Sequence, residues 1–173
     1  MTEPALPWHV PVRLEEVPET GLHLDLVADA HVRAGIAALA GVRDISRLEA
    51  AVDLARHGSG LRVTGRVSAT VGQTCVVTLE SMESLVNEPI DVIFAASPTG
   101  YLAEENVAFE GDDPPEILSD DGTADLGAVA TEFLLLGIDR YPRKPGVEFT
   151  SPAQESTAAS PFAILVKLKD ASN

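Results

Sequence analysis

Apolar and polar positions alternate strictly from Leu61 to Val71. Leu61, Val63, Gly65, Val67, Ala69 and Val71 share one side, and Arg62, Thr64, Arg66, Ser68 and Thr70 share the other, the period-two signature of a half-buried strand. Gly72 reads as a break. After it Cys75, Val77 and Leu79 fall on one face of a further strand, with Thr74, Val76, Thr78 and Glu80 on the other. A third run places Val86, Ile90, Val92 and Phe94 together, and Pro89, which cannot donate to a ladder, points to an edge or a bulge there. Upstream, Leu48, Ala50, Val52 and Leu54 also alternate before the turn cluster 57–60. Nearer the N-terminus, Val10, Val12 and Leu14 and then Leu22, Leu24 and Leu26 alternate around a reversal marked by Pro18 and Gly21. This reads as strand, turn, strand, with Pro7 and Pro11 putting the first at an edge.

Helical spacing takes over in two places. Asp29 can cap a helix over 30–40, in which Val32, Ile36, Leu39 and Ala40 recur at the right intervals and Gly41 stands where a left-handed C-terminal residue is wanted. Asp125 can cap a second, whose stripe is Leu126, Val129, Ala130, Phe133 and Leu136 or Gly137, with Pro142 to end it. Between the sheet and this helix, 95–115 is loop-like with a short strand at 106–109, and 116–118 forms another before the turn Asp120-Asp121-Gly122. These elements predict an α+β fold: a twisted antiparallel sheet of six or seven strands, open or partly closed, covered by two helices. The domain spans 1–142. A linker rich in Pro, Ser, Thr and Ala follows over 143–159, and the tail 160–173 begins with Ser160-Pro161 and continues with Phe162, Leu165, Val166 and Lys169 at helical spacing. It is expected to dock as a short helix.

Charge changes the picture more than composition does. The chain of 173 residues carries a formal charge of -15, yet Val67–Asp139 contains no Lys or Arg and 15 of the 27 acids, leaving 12 acids against 12 bases elsewhere. All the excess lies in the middle, densest around Glu110, Asp112, Asp113, Asp120 and Asp121. Such a block repels a phosphate backbone and suits either a solvated surface or a basic protein partner. The single cysteine excludes an intramolecular disulfide, and the start MTEPALPWHVPV lacks the basic and apolar regions of a signal peptide. No apolar run approaches membrane-spanning length. A cytoplasmic protein is expected.

Two blocks carry a resemblance to a known family. The run RVSATVGQTCVVTLE, Arg66–Glu80, and the run DLGAVATEFLLLGIDRYPRKPG, Asp125–Gly146, in this order, resemble the recurrent blocks of the YceD family of bacterial proteins, associated with accumulation of large-subunit ribosomal RNA. Its family-motif positions here are Cys75, Leu79, Glu80, Asp125, Leu126, Glu132 and Pro142. The resemblance implies a non-enzymatic role in the synthesis, processing or stability of that RNA. Many members have a second cysteine three positions after the one matched by Cys75, and some have more near the end of the second block. Here those positions hold Thr78 and the neighbourhood of Gly146. A tetrahedral zinc site needs about four thiolate or imidazole ligands, so no metal and no other cofactor is expected, and Cys75 reads as a small buried hydrophobe.

Nothing in the sequence marks a catalytic centre. His9, His23, His31 and His57 are scattered, and only His23 shares a strand face with an acid, Asp25; nucleophile elbows and metalloprotease motifs are missing. Glu132 projects from the apolar helix as an exposed acid or a partner contact. Arg140, Tyr141, Arg143 and Lys144 form the one place where cations adjoin an aromatic, suited to RNA or to the negative end of the helix. Three functions follow. The first is docking of a basic ribosomal or ribosome-assembly protein through the acidic region and Glu132. The second is a β-barrel holding a small apolar or acyl ligand, since genes of the family often lie beside lipid-synthesis genes. The third is direct RNA binding, disfavoured by the charge. The oligomeric state is left open.

Overall fold

A computed structural model describes residues 6–95, 116–119 and 122–149. The expected strand at 106–109, the acids Glu110, Asp112, Asp113, Asp120 and Asp121, and the tail helix all lie outside the described residues.

Long antiparallel strands dominate. β1 (Pro11–Arg13) is followed by a 3-10 turn at Leu14–Glu16, β2 (Leu22–Val27), α1 (Ala30–Ala40), β3 (Asp44–His57), β4 (Gly60–Thr74), β5 (Ser81–Ala95), β6 (Glu116–Ile117), β7 (Thr123–Asp125) and α2 (Leu126–Gly137). The main sheet runs β2-β3-β4-β5-β6, and β1 pairs with β7 in a second, small sheet. The architecture is α+β. The main sheet is open, because β2 and β6 are its edges and do not pair with each other; no lumen of a barrel is present among the described residues.

The alternation read from the sequence sorts the faces of the sheet. Leu48, Val52, Leu54, Val63, Val67, Val71, Val86, Ile90 and Phe94 are buried in one cluster with Ile36 of α1 and Leu126, Val129, Ala130 and Leu134 of α2. The opposite face carries exposed pairs: Arg62 donates to Asp91 at 2.8 and 3.0 Å, and Arg47 to Glu49 at 2.6 and 2.9 Å. α1 has the expected bounds, with the Asp29 carboxylate accepting from the Val32 amide at 2.8 Å and Gly41 left-handed at φ 67°. Pro89 pairs with Arg66 on one side and has no strand neighbour on the other among the described residues, since β6 pairs only with Phe94 and Ala95.

Four expectations are corrected. β1 does not pair with β2; its partner is β7, at Pro11↔Asp125 and Arg13↔Thr123, because the 3-10 turn diverts the chain after Arg13. β4 runs through Gly72 to Thr74, where the Asp44 carboxylate occupies the space a Cβ on Gly72 would need. Residues 75–80 are the turn joining β4 to β5, in a hairpin whose register closes at Thr74↔Ser81. Lastly, the buried stripe of α2 turns through Thr131 and Leu134, leaving Phe133 half-buried and Leu136 81% exposed.

Candidate functional site

The two sequence blocks meet at Cys75. The turn 75–80 closes on itself through the Leu79 amide donating to the Cys75 carbonyl and the Cys75 amide donating to the Glu80 carbonyl, both at 2.9 Å. It then binds the segment after α2: the Val76 amide donates to the Pro142 carbonyl at 2.9 Å, the Lys144 amide to Cys75 Sγ at 3.4 Å, and Lys144 Nζ to Glu80 Oε2 at 2.8 Å. Cys75, Glu80, Pro142 and Lys144 thus belong to one junction.

Cys75 is fully buried, as expected of a small hydrophobe, yet it does not share a strand face with Val77 and Leu79. Leu79 is 78% exposed and left-handed at φ 59°, a conformation that crowds any Cβ against the backbone carbonyl. The sulfur is ringed by donors. The Thr78 hydroxyl first, then the amides of Lys144, Thr78 and Val77, lower its pKa to about 6 against the opposing effect of burial, because hydrogen bonds to the charged form favour it. Thr78, standing where the family resemblance implies a second cysteine, therefore turns its hydroxyl to the thiol. Structural zinc does not fit this junction: it offers one sulfur where about four N or S ligands are needed, and no group of three or more His, Cys, Asp or Glu side chains suited to a metal occurs among the described residues.

The basic group divides at the same place. Lys144 is committed to Glu80, which that contact holds below the usual carboxylate range. Arg140, Tyr141 and Arg143 are exposed on the surface beside it. Glu132 is exposed on α2.

Asp125, Leu126 and Gly127 form a second junction, which explains the Asp-Leu-Gly start of the block. Asp125 Oδ1 accepts from the amides of Gly127 at 3.0 Å and Ala128 at 3.2 Å, capping α2, and from the Val10 amide at 2.9 Å; Oδ2 meets His9 Nδ1 at 2.7 Å. Burial pushes this carboxyl up, but the Val10 amide, the His9 ring and the Ala128 amide outweigh it and hold it below the usual range. Leu126 returns its amide to the Val10 carbonyl at 3.0 Å and is buried. Gly127 lies against the Trp8 carbonyl, where a Cβ would stand 2.6 Å from the oxygen. These residues staple the N-terminal strand to α2, a partnership across more than a hundred positions that no local pattern announces.

Elsewhere, His23 Nδ1 meets Asp53 Oδ1 at 2.7 Å and Nε2 meets Asp25 Oδ1 at 3.5 Å. Sequence reasoning found Asp25 and missed Asp53, which the β2–β3 register places opposite His23. The acidic centre enters through its anchors. Phe94 and Ala95 pair with Glu116 and Ile117, the Leu118 amide donates to the Ala95 carbonyl at 2.9 Å, and Leu118 is buried. Ala95 and Glu116, the described residues on either side of 96–115, therefore lie close together at one end of β5.

No helix among the described residues is long and apolar enough to cross a membrane. No curated protein and no solved structure matches the chain. The family model described as "Large ribosomal RNA subunit accumulation protein YceD" matches residues 63–169, a span that takes in β4, β5, both sides of the Cys75 junction and the tail beyond the described residues. With more than half of its length matched and the two sequence blocks joined in space, this chain belongs to the YceD family.

Proposed function

We propose that the protein is a cytoplasmic, non-enzymatic module that supports accumulation of large-subunit ribosomal RNA by docking a basic ribosomal or ribosome-assembly protein. One observation carries this reading: the whole excess of negative charge lies in Val67–Asp139, and its densest stretch brackets in sequence the strand β6, which pairs with the end of β5. Glu110, Asp112, Asp113, Asp120 and Asp121, which lie outside the described residues, flank the fixed strand Glu116–Ile117, so a partner meets a concentrated negative field that steers cationic surfaces toward it. Direct RNA binding is the weaker reading, since Lys144 is already held by Glu80 and only Arg140 and Arg143 of the basic group remain outward.

The test replaces those five acids by their amides and measures capture of basic ribosomal proteins at several salt concentrations. Docking through the acids predicts weaker capture and a flatter salt dependence, with stability unchanged or slightly raised as self-repulsion falls. If capture survives the amides but is lost when Arg140, Arg143 and Lys144 are neutralised, or when nuclease is added, the acidic-docking reading is wrong and RNA contact replaces it.

A further inference from the structure

The C-terminal ends of the two helices converge on a groove of about 560 Å³, a size within the range that accommodates small ligands and short peptide segments. Its apolar wall is made by Leu39 and Val42 at the end of α1, Val76 of the Cys75 turn, and Leu135, Ile138 and Pro142 at the end of α2. Leu39 and Val76 are 49% and 42% exposed, so apolar surface is left open to water there. The lining is also rich in acceptors. Gln73, itself buried, donates from Nε2 to the Asp139 carbonyl at 2.7 Å, while its Oε1 has no partner. The last carbonyls of both helices, which cannot be satisfied within a helix, add partial negative charge at the same place. Arg43 and Arg140 stand exposed on the rim.

We propose that this groove is the seat of the chain's own segment Pro161–Lys169. The segment's stripe, Phe162, Leu165 and Val166, is apolar, and Lys169 continues it. Those residues answer the two properties of the groove: uncovered apolar wall and surplus acceptors facing the helix ends. Asp170, which follows, is complementary to Arg43 and Arg140. Reach is no obstacle. The chain passes the groove wall at Pro142, and the stretch 150–160 spans roughly 35–40 Å when extended. The family match gives independent support, because it continues past the linker and ends at Lys169, the last residue of the stripe. The matched block thus includes the segment together with the β4 and α2 sides of its seat.

Hydrogen exchange on the full chain, wild type against the double variant F162D/L165D, tests the assignment. In the wild type, amides of 163–169 are expected to exchange at least about tenfold slower than unprotected amides. In the variant that slowing is lost, and amides of 39–43 and 138–142 exchange faster, while those of β3 and β4 stay unchanged as the control for folding. Unprotected exchange of 163–169 in the wild type overturns the proposal. So does protection that the double substitution removes without any change at 39–43 and 138–142. Protection that rises with protein concentration also overturns it, by assigning the groove to the tail of a second copy.

Discussion

Replacing Asp125 by alanine tests the claim that the Asp-Leu-Gly start of α2 is a structural staple. The substitution removes an N-cap that accepts from the Gly127 and Ala128 amides, a loss that typically costs about 1 kcal/mol. It also strips the acceptor from the half-buried Val10 amide, which adds about 1–2 kcal/mol if no water replaces it. The His9 contact is largely exposed and contributes little. The total is about 2–3 kcal/mol, equivalent to a fall in Tm of roughly 5–10 °C for a chain of this size. Asparagine is the discriminating partner variant: it keeps an oxygen acceptor at Oδ1 and caps nearly as well as aspartate, so D125N should lose well under half of that. Urea and thermal unfolding by circular dichroism measure both.

The pH dependence follows with a definite sign. The folded carboxyl of Asp125 titrates below its ordinary range, so its contribution is complete above that range and disappears as pH falls through the lowered folded value. The gap between wild type and D125N should therefore narrow in acid. A D125A variant within about 0.5 kcal/mol of wild type refutes the staple. Equal losses in D125N and D125A refute the hydrogen-bond explanation, leaving charge alone as the cause.

Three further outcomes are expected. The Cys75 thiolate absorbance should titrate with a midpoint at about pH 6, shift upward in T78V, and the stability of wild type relative to C75S should grow as pH rises from 6 toward the ordinary thiol range; a midpoint near 8.5 contradicts the ring of donors. Alkylation should nonetheless be slow, because the sulfur is buried. Leu79→Gly should leave stability unchanged or raise it by up to about 1 kcal/mol, since relief of about 1–2 kcal/mol of left-handed strain is set against the extra flexibility of glycine, and a clear loss in urea unfolding would show that the exposed side chain packs. His23 should titrate above its ordinary value, chiefly through the hydrogen bond its ring donates to the Asp53 carboxylate, and return toward it in D53N by NMR. The stability it supplies between β2 and β3 is present below that ordinary value and is lost as pH rises through the folded one.

What the sequence made legible was local. Asp29 and Gly41 bracket α1 because both signals act within one turn of the helix they end, and β3, β4 and β5 follow an alternation that a one-residue slip would invert. What stayed hidden depends on distant partners. Cys75 to Glu80 alternates like a strand, but Val76 finds its acceptor at Pro142 and Cys75 its donor at Lys144, more than sixty positions away. β1 looked like half of a hairpin with β2 because the nearest alternating run lay just beyond a turn, while its true partner follows the acidic segment. The stripe of α2 was misphased for a related reason. In the all-apolar run 133–136 the letters do not say which residue faces the sheet, and packing on β4 and β5 selects Leu134.

The length of β5 gives the two charged regions their relation. The Cys75 junction, with Arg140 and Arg143 beside it, adjoins the start of this strand at Ser81, and the acidic segment leaves from its other end at Ala95. At about 3.3 Å per residue those ends are roughly 45 Å apart along the strand, several times the screening length of about 8 Å at physiological salt. Cations at the junction therefore do not neutralise the charge of Glu116 at that end, and on the proposed reading they would not repel a basic partner docking there. Substitutions at the two ends should act additively on stability, as distant sites do, so a coupled effect on partner capture would have to come from a partner large enough to span both.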